Sequence, residues 1–182
     1  TSANMLAEEL GVKYREGLIK NRYVGRTFIM ATQMAREKAV SVKLNPVISA
    51  IEGKHVVVVD DSIVRGTTAK RIVNIVRKAN PKKITFVSVC PPLKNPCFYG
   101  IDFPNKDDLI AANKTIEEIR EEIGADELIY GDLEDLRELL KRPLCTACLD
   151  GNYPCPISKE QMEKIKDDHS CNRHKIKTEV QE

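Results

Sequence analysis

Apolar positions recur along this chain with two periods, one strand-like and one helical, and stretches of the two kinds alternate. Four consecutive valines, Val56 to Val59, follow His55 and stop abruptly at Asp60 and Asp61. A run so short and so rich in β-branched residues predicts a parallel strand, central in its sheet and buried on both faces. Past the two acids, Ala69, Ile72, Val73, Val76 and Ala79 fall at helical spacing. That predicts an amphipathic helix over Thr67 to Ala79, with Lys70, Arg71, Arg77 and Lys78 facing water. Ile84 to Val89 is the next β-prone run. Strand, helix and strand at this spacing form a right-handed crossover, so the fold class is α/β with a Rossmann-like parallel sheet at its core.

The remaining pattern is placed around that unit. Ala3 to Leu10 is an amphipathic helix closed by Gly11, and Val12 to Ile19 is predicted as a strand. Lys20 to Ile29 holds three cations, two aromatics and a glycine without either period, which predicts a mobile basic loop. Thr32 to Val40 is predicted helical, ending before a breaker at Lys43-Leu44-Asn45-Pro46, and Glu52-Gly53 turns into the valine strand. Asp107 to Ala112 reads as a short helix. Thr115-Ile116-Glu117-Glu118 is a capping-box pattern for a helix to Ile123 that Gly124 ends. Glu127 to Tyr130 adds a strand, and Asp132 caps a helix over Leu133 to Lys141 whose Leu133, Leu136, Leu139 and Leu140 form an apolar stripe expected to be core. These last elements make a helical cover on the sheet. Ser158 to Asp168 is a charged helix candidate, and His169 to Glu182 is a polar tail. Within it His169, Cys171 and His174 look like metal ligands, but a loose tail is the reading taken.

Composition narrows the setting. With 42% hydrophobic and 31% charged residues, 182 residues suit one domain with a sizeable core, and a net charge of +2 does not suggest nucleic acid as a partner. No apolar run approaches the roughly 18 residues of a membrane span, and no signal-peptide pattern opens the chain. No membrane and a cytoplasmic setting are therefore expected. Six cysteines are not needed as staples in a chain with this much apolar content, which points to reduced thiols or metal ligands.

Candidate chemistry gathers where the valine strand ends. The stretch Asp60-Asp61-Ser62-Ile63-Val64-Arg65-Gly66-Thr67-Thr68 puts two carboxylates beside a turn in which Gly66 can take positive φ, then opens a helix with two threonines. A phosphate suits the amides and hydroxyls of Val64 to Thr68, because a helix N-terminus leaves N–H groups unsatisfied. Asp60 and Asp61 would repel phosphate and suit sugar hydroxyls or a hard cation such as Mg2+. The ligand implied is a phosphorylated sugar with magnesium; Walker-loop spacing is missing. The plainer alternative, acids that merely cap the next helix, leaves two adjacent carboxylates at a buried strand end without a partner.

A second constellation is built of cysteines. Cys145 and Cys148 are a pair two residues apart, and such a pair with a distant cysteine suits a metal or an iron-sulfur cluster, with free thiols as the alternative. Cys145, Cys148 and Cys155 could equally hold zinc or nothing, while Cys90, following a strand, reads as core.

Val58 to Thr68 resembles the phosphoribosyl pyrophosphate (PRPP) loop of type I phosphoribosyltransferases. Its Ser-Ile-Val-Arg variant is similar to that of the glutamine PRPP amidotransferases, as are Lys20 to Ile29 and Pro96 to Asp102. The resemblance runs from Thr1 to about Tyr153, which gives a domain at 1–153, the C-terminal portion of a phosphoribosyltransferase domain, and a charged, partly helical tail at 154–182. It implies a sheet incomplete at its N-terminus, with the family's glutaminase domain, first core elements and pyrophosphate loop outside this chain. It implies the reaction of PRPP, glutamine and water to 5-phosphoribosylamine, glutamate and pyrophosphate, the first committed step of purine synthesis, with this chain alone inactive. Carried over, Lys20, Arg22, Tyr23 and Arg26 belong to a catalytic loop that closes over PRPP. Asp60, Asp61, Ser62, Val64, Arg65, Gly66, Thr67 and Thr68 bind PRPP, with Asp60 and Asp61 toward Mg2+. Cys97, Cys145 and Cys148 match three ligands of a [4Fe-4S] cluster whose fourth ligand lies upstream. Ammonia from glutamine, purine nucleotide feedback inhibitors and a homo-oligomer are implied in the same way. A nucleobase phosphoribosyltransferase and a non-catalytic PRPP-sensing regulator are the alternatives; the cysteine set argues against the first, and a full cationic closing loop against the second.

Overall fold

The alternation of periods becomes an alternation of strands and helices. The computed structural model describes residues 1–20, 44–101 and 103–165. Helix α1 (Ser2–Glu9) leads to strand β1 (Leu18–Lys20), which pairs antiparallel with β2 (Leu44–Pro46). A single turn of helix, α2 (Ile48–Ile51), precedes β3 (His55–Asp60), α3 (Thr67–Arg77) and β4 (Lys83–Ser88). Then come a 3-10 turn (Lys106–Asp108), α4 (Ile110–Asn113), α5 (Ile116–Ile123), β5 (Glu127–Tyr130), α6 (Leu133–Leu140) and α7 (Ala147–Asp150). Residues 159–165 are helical as well, opened by Ser158 and Gln161 capping one another.

Strands β3, β4 and β5 form a parallel sheet in that order, with Val58 opposite Phe86 and Phe86 opposite Leu128. Along β4 burial alternates with the pleat: Ile84, Phe86 and Ser88 are sealed from solvent. Their face carries the core, where Val73 and Val76 of α3 and Ile119 and Ile123 of α5 close over Ile84 and Phe86. The capping box at Thr115 and Glu118 forms in full, and Gly124 ends α5 in the left-handed conformation. Just beyond, the Asp126 carboxylate accepts from the Ile84 amide at 2.6 Å and from Arg77 at 3.0 Å, which ties α3, β4 and the start of β5 together. These bonds hold the Asp126 carboxyl below the usual carboxylate range, Arg77 contributing most.

Several sequence expectations are corrected. The valine strand is neither central nor buried on both faces among the described residues: β4 takes the middle, and Val57 on β3 is 48% exposed. The strand predicted over Val12 to Ile19 shrinks to Leu18–Lys20, the stretch that finds a partner. That partner is the supposed breaker, since a proline at the end of a two-stranded edge costs little. The helix predicted over Asp107 to Ala112 breaks at Leu109, which goes extended to bury itself fully with Leu93 and Phe103. No residue of α6 is buried, so its leucine stripe is not core among the described residues. The helix expected over Thr32 to Val40 and the polar tail from His169 lie outside the described residues.

Ile119 and Leu139 therefore separate core from surface. Ile119→Ala lowers the unfolding free energy by ~2–5 kcal/mol in urea denaturation, whereas Leu139→Ala, at a position 78% exposed, changes it by no more than ~0.5 kcal/mol. An equal loss at both positions would show that the leucine stripe is covered in solution.

Candidate functional site

At the carboxyl end of β3 the chain has run out of apolar residues and must enter α3 through a short turn. Asp60 closes the strand, and its carbonyl accepts from the Val89 amide at 3.0 Å; the Asp61 carbonyl accepts from Cys90 at 2.9 Å. Both acids thus have pinned backbones, and among the described residues neither side chain meets a basic group. Ile63 buries itself in the main core and Val64 packs on the second apolar cluster, which turns the chain inward before Gly66 reverses it at φ +74°. An alanine there would place its Cβ 2.7 Å from Ile110 Cδ1, so the left-handed turn and the close approach both call for glycine. With Gly66 as N-cap, no side chain caps α3 and no acid occupies its first turn. The helix start therefore leaves its opening amides without a side-chain cap, beside the exposed Thr67 and Thr68.

The result is a cavity of about 340 Å³ lined by every residue from Asp60 to Ala69, together with Phe103. Its two halves differ in charge. On one side Asp60 accepts from the Asp61 amide at 3.1 Å, Asp61 accepts from the Ser62 hydroxyl at 3.4 Å, and no basic side chain pairs with either carboxylate among the described residues. Burial pushes the Asp60 carboxyl above the usual range, with the neighbouring Asp61 charge adding to the rise and the Asp61 amide opposing it. Donors from sugar hydroxyls or a divalent cation would offset that desolvation, so the pair fits Mg2+ as a ligand set. On the other side are the uncapped amides of the helix start and the Thr67 and Thr68 hydroxyls. Arg65 also lines the cavity, and its guanidinium bonds Asp108 at 3.1 Å.

All eight residues expected around the sugar phosphate, Asp60, Asp61, Ser62, Val64, Arg65, Gly66, Thr67 and Thr68, therefore meet on one cavity. Lys20 ends β1 and does not line it; Arg22, Tyr23 and Arg26 lie outside the described residues. Phe103, Asp108 and Ile110 escaped the sequence reading. The Ile110 amide donates to the Val64 carbonyl at 2.9 Å, and nothing in the local pattern at 103–110 signals that role.

The cysteines gather only partly. Cys90, Cys97 and Cys148 pack against Leu93, Phe103 and Leu109, while Cys145 and Cys155 are exposed. The two loops that carry them are joined by Lys94 and Asn95 amides to the Cys148 carbonyl and by the Tyr153 hydroxyl to Pro96. The Tyr99 amide donates to Cys97 Sγ at 3.4 Å, and the Tyr99 hydroxyl bonds the Cys155 backbone. Burial raises the Cys148 thiol, with Cys90, Cys97 and Cys145 adding to the rise. No three His, Cys, Asp or Glu side chains converge as a metal ligand set among the described residues.

Residues 1–102 match the model of the phosphoribosyl transferase domain. The amidophosphoribosyltransferase of Methanocaldococcus jannaschii is 53% identical over 163 residues, which cover 89% of this chain and 35% of that protein. That of Bacillus subtilis is 48% identical over 158 residues, covering 83% and 33%. The solved structure of glutamine phosphoribosylpyrophosphate amidotransferase from Bacillus subtilis, complexed with ADP and GMP, superposes with a TM-score of 0.77 at 46% identity, covering 87% of this chain and 36% of that one. The chain spans about a third of the length of the curated relatives it matches, in their C-terminal part.

Three substitutions read the cavity. Gly66→Ala costs ~1–2 kcal/mol for the left-handed alanine alone. Combined with Ile110→Val, which deletes the clashing Cδ1, it costs less than the two single changes summed, by at least ~0.5 kcal/mol in a double-mutant cycle. The raised Asp60 pKa means the folded protein holds this proton to higher pH than the unfolded chain, so stability falls as pH rises through that window. Asp60→Asn accordingly stabilises the ligand-free protein at pH 7, with the gain fading below the ordinary Asp range near ~3.9; a gain that grows on acidification would contradict the burial account.

Proposed function

The chain belongs to the phosphoribosyl transferase family, and on that premise we propose that it carries part of the PRPP site of an amidophosphoribosyltransferase. The observation that carries this reading is the divided cavity, with Asp60 and Asp61, which have no basic partner among the described residues, on one side and the uncapped start of α3 on the other. The 5-phosphate sits on the amides of Val64 to Thr68 and on the Thr67 and Thr68 hydroxyls, while Asp60 and Asp61 accept from the ribose hydroxyls. Mg2+, held toward Asp60 and Asp61, would neutralise charge on the pyrophosphate when bound.

As the bond from the ribosyl carbon to pyrophosphate breaks, positive charge grows on the ribose ring, and carboxylates beside the ring stabilise it. The new bond forms to ammonia, which sheds a proton to solvent or to the departing pyrophosphate. Lys20, Arg22, Tyr23 and Arg26 close over the site, the cations pairing with pyrophosphate and the loop excluding water from the reactive carbon. Ammonia comes from glutamine in a part of the protein beyond these residues. Purine nucleotides act as feedback inhibitors by placing their phosphate on the same cradle; the Bacillus subtilis structure with ADP and GMP supports nucleotide binding in the family. A homo-oligomer in the cytoplasm completes the reading. No described helix is long and apolar enough to cross a membrane.

Cys97, Cys145 and Cys148 are proposed as three ligands of a [4Fe-4S] cluster with a fourth from elsewhere. Thiol chemistry and the joining of their loops support this. The group would have a structural role, and no step of the transfer runs through it.

Pyrophosphate release from PRPP and Mg2+ tests the function, measured for this chain and for the longest form of the protein, with ammonia and glutamine supplied separately. Release with glutamine by the long form is the expected result. Binding of PRPP without release for either donor would replace the enzyme with a PRPP-sensing regulator, and release only with a purine base would make it a nucleobase transferase.

A further inference from the structure

The cavity holds a cation that is already engaged. Among the described residues, Arg65 is the only basic side chain lining it. Its Nη2 bonds Asp108 Oδ2 at 3.1 Å, across 43 residues of sequence. Asp108 closes a 3-10 turn that does not itself line the cavity. That turn is fixed to the phosphate-binding loop at two further points: the Ile110 amide donates to the Val64 carbonyl, and the Ile110 side chain fills the space beside Gly66. This backing keeps the backbone that carries Asp108 close to the rim, within reach of Arg65.

Charge decides what such a pair does. Asp60 and Asp61 already make one half of the cavity negative, and a third carboxylate on Arg65 cancels its one positive side chain. With that cation neutralised, a small anion finds amides and hydroxyls but no free counter-charge among the described residues that line the cavity. We infer that Asp108 is a positioning residue that restrains Arg65 and so keeps simple phosphates from filling the cradle. A ligand must then gain its affinity from the sugar hydroxyls on Asp60 and Asp61 as well as from its phosphate. Asp108 acts through Arg65 and touches no ligand. The inference rests on the reading of Val64 to Thr68 as a phosphate cradle, and it gives that cradle a device for selectivity.

Inorganic phosphate and ribose 5-phosphate are the probes, titrated by calorimetry into the longest form of the protein that carries this chain. Asp108→Asn and Asp108→Ser, each checked for native unfolding behaviour, are compared with Asp108→Glu. Both neutral variants tighten phosphate binding by about two- to fivefold at low salt, the range open to a partly exposed ion pair. The gain shrinks as salt rises, is absent from Asp108→Glu, and disappears in an Arg65→Ala background. Unchanged or weaker phosphate binding in both neutral variants overturns the inference, as does an equal gain without Arg65. PRPP is titrated into the unmodified protein in parallel. If PRPP fails to bind while the phosphate gain appears, the substrate reading falls and the restraint stands; if PRPP binds and the gain is missing, the restraint alone falls.

Discussion

Between β3 and α3 the backbone has to reverse in a short turn and leave the first amides of the helix uncovered, and it does so at Gly66 with φ +74°. Everything that gives the site its character depends on that reversal. Ile63 and Val64 are drawn into two different apolar clusters, and between them they set the direction from which the chain reaches Gly66. Ile110 fills the space a Cβ would need. A helix start with glycine in place of a side-chain cap ordinarily costs only a few tenths of a kcal/mol. Here it leaves donors free for an anion, a local cost of the kind that collects at functional sites.

The site is asymmetric because strand and helix end in opposite electrostatic conditions. The helix start is electropositive by the sum of its peptide dipoles. The strand end carries two carboxylates whose backbones are locked to β4 while their side chains lack a basic partner among the described residues. The sugar phosphate proposed for the site has a group for each half, its phosphate for one and its hydroxyls for the other. The two apolar clusters keep this arrangement rigid. One packs α3 and α5 on β4, and the other runs from Val64 through Phe103 and Leu109 to Cys97 and Cys148. The cysteine region is in this way continuous with the wall of the cavity, although its thiols do not converge as a ligand set among the described residues.

Local signals were enough for much of this. Val56 to Val59 ending at two acids, a glycine, two threonines and a helical period fixed a strand, a turn and a helix, and hence the position of the cavity, because each depends on neighbours in sequence. The capping box at Thr115 and the cap at Asp132 formed as read for the same reason. Tertiary structure decided what depends on partners. Whether Val12 to Ile19 became a strand turned on how much of it found a ladder, and whether Asp107 to Ala112 stayed one helix turned on Leu109 reaching the second cluster. The exposure of Val57 and of the α6 leucines follows from which faces are covered, and a periodicity cannot report that. The contacts of Asp108 with Arg65 and of Ile110 with Val64 and Gly66 join segments far apart in the chain. No spacing rule reaches that far, so the residues that line the cavity between β3 and α3 were legible in the sequence, and those that hold it in shape came only from the fold.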